Sequence, residues 1–203
     1  MELATHKKLD RKGLLNPLSF EAYLDFHQNI CDGNYGSHSI YEREKTMQHT
    51  KVNLSILQNV LETISLEKKL YNSFSKIGKQ DWIYITEPWC GAGSFVLPLF
   101  HAISMAQSNI NFTIYLRDEN ESLMFQALTN GSKTIPKLLI LNEVDEILST
   151  WGPRPKAALV FESKLKAENK SSSEINEGLI EWYMNDKTMT TQEEILQLIK
   201  SIT

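Results

Sequence analysis

A chain of 203 residues is long enough for one ordinary domain with extensions, or for two small domains. Apolar residues make up 41% and charged residues 23%, the balance of a globular chain, and no window approaches the run of about 18 apolar residues that a membrane-spanning helix needs. The formal net charge of -4 excludes the basic footprint that phosphate backbones call for, so neither nucleic acid nor a membrane is an expected partner. Met1 to Asn16 mixes Lys7, Lys8, Arg11 and Lys12 with acids and lacks an apolar signal core, so a cytoplasmic protein is expected. Two cysteines, Cys31 and Cys90, fit a reducing compartment, and His6, His27, His38, His49 and His101 are too scattered to suggest a metal site.

From Pro17 to Ile30 the apolar residues Leu18, Phe20, Tyr23, Leu24, Phe26 and Ile30 recur at helical spacing, with Ser19 as the cap. Cys31 to Ser37 is dense in turn formers and ends that helix, either as a connector or as a loop beside a substrate. From Tyr41 to Ile77 the pattern is helical, broken at most once, and Gly78 stops it. A strand is expected over Asp81–Thr86, a helix over Phe95–Met105, a strand over Phe112–Leu116 and a short helix over Glu121–Leu128. Lys137–Leu141 and Ile147–Trp151, joined by a return at Asn142–Asp145, form an expected antiparallel hairpin. Trp151 to Pro155 leads into a further helix, and Arg154 there either holds an anionic group or serves solubility on a turn. Lys164–Glu174 is a solvated helix or a linker, and Ile175–Tyr183 and Thr191–Ile202 are terminal helices. Thr191 with Glu194 has the spacing of a capping box.

The chemistry is concentrated in Trp89-Cys90-Gly91-Ala92-Gly93-Ser94, between the first strand and the helix that follows. The first amides of a helix have no intrahelical acceptor and the peptide dipoles add partial positive charge, so a thiolate at Cys90 is expected to have a lowered pKa. His101, eleven residues on, lies on the order of 16 Å further along the helix axis at about 1.5 Å per residue, and cannot act as the base of Cys90.

Trp-Cys-Gly after an apolar strand, Pro98 eight residues past the cysteine and Thr134-Ile135-Pro136 some forty residues later together resemble the thioredoxin superfamily, over roughly Lys79 to Leu165. The resemblance implies a thioredoxin-like three-layer α/β fold with a mixed central sheet. It divides the chain into an N-terminal helical extension packed on the core (1–78), the thioredoxin-like domain (79–165) and a C-terminal helical extension (166–203). It also implies Cys90 as the catalytic thiol, with Trp89 shielding the sulfur, Gly91 turning the backbone into the helix, Pro98 kinking that helix, and Thr134, Ile135 and a cis Pro136 presenting backbone to an extended substrate.

Two departures stand beside the matches. The second cysteine of dithiol members is Gly93 here, and the buried aspartate six residues before the nucleophile is Tyr84. The expectation is a single-cysteine thiol–disulfide oxidoreductase that works through mixed disulfides with a protein or a low-molecular-weight thiol or disulfide, without a cofactor. Cys31 or a small thiol would then resolve the intermediate. The alternative is a redox-inactive protein- or peptide-binding module on the same scaffold. Cluster carriage of the monothiol glutaredoxin kind fits less well, because the Cys-Gly-Phe-Ser pattern is absent. Glu87, three residues before the cysteine, would oppose ionisation if its carboxylate lay close to the sulfur.

Overall fold

The structure is a computed structural model and describes residues 7–202; the first six residues of the N-terminal extension, His6 among them, and Thr203 lie outside the described residues. Strand β1 (Gln80–Thr86) is central, with β2 (Ile110–Leu116) parallel on one side and β3 (Lys137–Leu141) antiparallel on the other. Strand β4 (Ile147–Trp151) pairs antiparallel with β3 and completes the order β2-β1-β3-β4. This is the mixed sheet that the resemblance implied. The alternation of β1 divides the core in two. Trp82 and Tyr84 point into a large cluster on one face, and Ile83 and Ile85 into a smaller one on the other, all four at most 1% exposed.

The large cluster lies under α1 (Phe20–Cys31), α2 (Glu44–Thr63), α3 (Lys68–Ser73) and α4 (Gly91–Ala106), and under the C-terminal helices. The smaller cluster is covered by α5 (Glu121–Gln126), which supplies Leu123 and Met124, and by Leu9 of the N-terminal arm. Helix α4 joins the parallel strands β1 and β2, as a crossover must. Among the described residues no helix is long and apolar enough to cross a membrane.

Residues 7–19 form an extended arm rather than a helix. The Ile147 amide donates to the Lys7 carbonyl, and Leu18 bridges to Ile114 of β2 at the other side of the sheet. Between these ends Arg11 reaches Asp81 at 2.5 Å and Asp145 at 2.6 Å. Ser19 caps α1 as expected, its hydroxyl accepting from the Ala22 amide at 3.1 Å.

The long helix expected over Tyr41–Ile77 is divided into a 3₁₀ turn at Ser39–Glu42, α2, α3 and a second 3₁₀ turn at Phe74–Lys76. The break between α2 and α3 is held from far away in sequence. The Gln192 side chain accepts from the Glu67 amide at 2.8 Å and donates to the Ser65 carbonyl at 3.0 Å, satisfying backbone groups that a helix would have paired internally. Helix α4 also starts four residues ahead of the expected Phe95, because packing overrides the low propensity of Gly91 and Gly93.

At the C-terminal end, α6 (Lys156–Ala167) is followed by α7 (Ser172–Asp186) and α8 (Met189–Ser201). The charged stretch Lys164–Glu174 is thus neither one helix nor a linker; it spans the end of α6, a turn and the start of α7. The capping box expected at Thr191 does not form. Glu194 is taken instead by the Trp151 indole and the Lys156 amide, each at 2.7 Å. The box occurs at α7, where Ser171 accepts from the Glu174 amide and the Glu174 carboxylate accepts from the Ser171 amide at 2.9 Å. Ser171→Ala is therefore expected to lower stability by about 1 kcal/mol in a chemical-denaturation midpoint, the usual cost of a lost N-cap.

Candidate functional site

Cys90 is the N-cap of α4. Its amide donates to the Glu87 carbonyl at 2.9 Å and its carbonyl accepts from the Ser94 amide at 3.2 Å, which fixes the turn from strand to helix. The turn is clamped from α2: the Asn53 side-chain amide donates to the Pro88 carbonyl at 2.9 Å while its oxygen lies beside Gly91. Asn53 is 5% exposed, and in the sequence it reads only as a weak helix former. Ile135–Pro136 is cis, as the resemblance implied; Gly152–Pro153, not anticipated as cis, is cis too. The two turns pack together so closely that a Cβ on Gly152, whose φ is +117°, would strike the Pro136 carbonyl oxygen.

The site residues do not all meet. Trp89, Cys90, Gly91 and Ile135 line one groove of about 450 Å³ between α2 and α7, whereas Thr134 and Pro136 are not among its lining residues. The Thr134 hydroxyl is buried beside it with no hydrogen-bond partner. The Arg117 guanidinium lies 4.6 Å from the centre of the Trp89 ring, a cation–π contact that holds the indole in place. Cys31, at the end of α1, does not line the groove, and neither cysteine is in a disulfide. His101 is stacked on Phe20 at 3.9 Å, an ordinary packing role.

The expected low pKa of Cys90 is not found. The residue is only 7% exposed, and burial pushes the thiol above its ordinary value, outweighing the pull of the Gly93 amide, Arg154, the Thr86 hydroxyl and Arg117. The helix terminus does act, but desolvation of a buried sulfur is the larger effect. Glu87 is not what opposes ionisation. Its carboxylate accepts from the Asp118 amide at 2.8 Å and from the Tyr41 hydroxyl at 3.3 Å, and it is not among the leading influences on the sulfur.

Tyr84, at the position of the family's aspartate, donates its hydroxyl to the Gly93 carbonyl at 3.3 Å and is fully buried, so it is a structural strut rather than a proton carrier. Thr86 explains the missing second cysteine in steric terms. Its hydroxyl oxygen sits well inside contact distance of where a Cβ on Gly93 would be, and that position is 3.5 Å from the Cys90 sulfur. Thr86 and Tyr183 are site residues that periodicity could not reveal, since both read as ordinary members of a strand and a helix.

A mixed four-stranded sheet with a cysteine capping the crossover helix beside a cis-proline turn defines a thioredoxin-type α/β domain. Residues 41–166 match the family model described as thioredoxin, more than half of the chain, and the chain belongs to the thioredoxin family. No curated protein matches. Among solved structures, the chain is similar to a protein of unknown function from Pseudomonas aeruginosa, with a TM-score of 0.55 at 18% identity over 92% of this chain and 99% of that one. It is also similar to an HIV epitope-scaffold, with a TM-score of 0.52 at 17% identity over 91% of this chain and 99% of that one. These likenesses show the fold, and they extend it over the helices at both ends.

Two measurements follow. Gly93→Cys, which would rebuild a dithiol motif, is expected to cost roughly 1–3 kcal/mol in denaturant unfolding through overpacking, and Thr86→Ala in the same chain to recover part of that loss. Glu87 is pushed up to about 7, first by burial. Because its folded pKa lies above the unfolded value, the stability it contributes is full below about pH 4.5 and is lost as pH rises through about 7. Glu87→Gln should therefore leave the unfolding free energy in urea nearly unchanged at acid pH and raise it relative to the parent above pH 7, by roughly 3 kcal/mol at about 1.4 kcal/mol per pKa unit.

Proposed function

We propose that this thioredoxin-family chain performs thiol–disulfide exchange through Cys90 alone. The observation that carries the reading is the position of Cys90 at the head of α4 in the wall of a groove large enough for a small molecule or an extended segment. Cys90 loses its proton to solvent and the thiolate attacks one sulfur of a disulfide. An Sγ–S bond forms, the substrate S–S bond breaks, and the departing thiolate takes up a proton. A second thiolate, from a low-molecular-weight or protein thiol, then attacks the mixed disulfide and releases Cys90.

The raised pKa shapes both steps. Little thiolate is present at neutral pH, so capture is slow. A thiol of high pKa is also a poor leaving group, and with glycine at position 93 no neighbour in the motif attacks it, so the mixed disulfide is long-lived once formed. This supports a protein that takes and holds a thiol partner rather than one that cycles rapidly.

The test is mass spectrometry of the chain incubated with bis(2-hydroxyethyl) disulfide across a pH series. One adduct is expected on Cys90, forming faster as pH rises beyond the ordinary thiol range and absent in Cys90→Ser, with Cys31→Ser unchanged. If Cys90 stays unmodified at every pH while Cys31 carries the adduct, the exchange reading is wrong and the groove belongs to a redox-inactive binding module.

A further inference from the structure

The groove over Cys90 differs in charge from the chain that contains it. The whole sequence has 25 acidic residues against 21 lysines and arginines, yet the groove is lined by Lys45, His49 and Arg154 and by no aspartate or glutamate. Three acids on the adjoining helices are engaged by side chains of those helices or of the turns that lead into them. Glu162 pairs with Arg154 and Lys166, Glu174 with Ser171 and Lys170, and Glu177 accepts from the Ser173 hydroxyl. Electrostatics thus favour an anionic occupant in this groove and disfavour a cationic one.

One corner of the groove is built to bind. Tyr183, from α7, is 4% exposed and lines the groove; its hydroxyl is buried beside the Arg154 guanidinium, which can only donate, and its O–H has no acceptor. A buried O–H without an acceptor is destabilising, a cost that an acceptor bound in the groove would remove. The Trp89 indole N–H, also on a lining residue, is likewise buried and unpartnered. Arg154 stands in the same groove, oriented by its Nε contact to Glu162 at 3.3 Å, which occupies one of the guanidinium's five donors. The opposite wall, α2, adds the apolar Val52 and Ile56 beside Lys45, His49 and Asn53, and the volume of about 450 Å³ suits a small molecule.

We propose that this groove is a binding site for a small carboxylate-bearing disulfide or thiol, its carboxylate on Arg154 and the Tyr183 hydroxyl and its sulfur over Cys90. The placement of the sulfur rests on the exchange reading above; the seat for the carboxylate does not. Such a molecule supplies the second thiolate that the motif lacks, and Arg154 recognises it by a charge-assisted, fork-shaped hydrogen-bond pair.

The experiment separates the two ideas. Dithiodipropionic acid and its dimethyl ester are titrated calorimetrically into the Cys90→Ser chain, where covalent capture cannot occur. The diacid is expected to bind about tenfold more tightly than the ester, and Arg154→Gln to abolish that difference by weakening the diacid alone, with Tyr183→Phe giving a smaller loss. Equal binding of diacid and ester, or no binding of either, overturns the proposal without reference to the Arg154 and Tyr183 variants. Diacid selectivity in a chain whose unmutated form makes no mixed disulfide keeps the anion seat and removes the exchange reading. A mixed disulfide formed equally fast from both probes keeps the exchange and removes the seat.

Discussion

The first turn of α4 is laid so closely against the end of β1 that only a hydrogen fits on residue 93. Tyr84 and Thr86, on the strand, meet the helix at the Gly93 carbonyl and at the space above its Cα. This one approach sets the character of the site. A Cβ on residue 93 would collide with the Thr86 hydroxyl, and three residues earlier Cys90 is itself buried, which raises the pKa of the sulfur even though the helix terminus pulls the other way. In this arrangement of strand, cysteine and helix, burial of the sulfur is the larger of two opposing electrostatic effects and the helix terminus the smaller.

Much of the fold was legible in the chain because its signals are local. The strands β3 and β4 fall where Pro136 and the turn residues Asn142–Asp145 bound two short apolar runs, and Ser19 caps α1 because a short hydroxyl side chain before an apolar periodic run has few other uses. What was not legible depended on partners distant in sequence. Gln192 breaks the α2–α3 stretch from more than a hundred residues away, and Glu194 leaves the capping position open to it in order to bind Trp151 and Lys156. A spacing pattern records which bonds a residue is able to make, not which competitor reaches it first.

The site divides in the same way. Cys90, Trp89 and Ile135 were visible because the motif names them, and they do share one groove. The helix dipole was also a sound inference, but burial is a property of the assembled protein, and it reversed the expected direction for the thiol. Asn53 and Tyr183 carry no sequence signal at all, being a polar residue in a helical run and an aromatic on an amphipathic face. Arg154 was weighed as a turn residue or an anion holder, and only the groove, with its absence of lining acids, gives the second role a physical basis.

The N-terminal arm bears on the open edges of the sheet. An open sheet has two outer strands whose unpaired amides and carbonyls invite other chains to add on. Here a single segment reaches both, through Lys7 and Lys8 beside the start of β4 and through Leu18 on β2. One short piece of polypeptide thus occupies backbone groups at both margins of the sheet that another chain would otherwise find open, and Arg11, fastened to Asp81 and Asp145, ties its middle down.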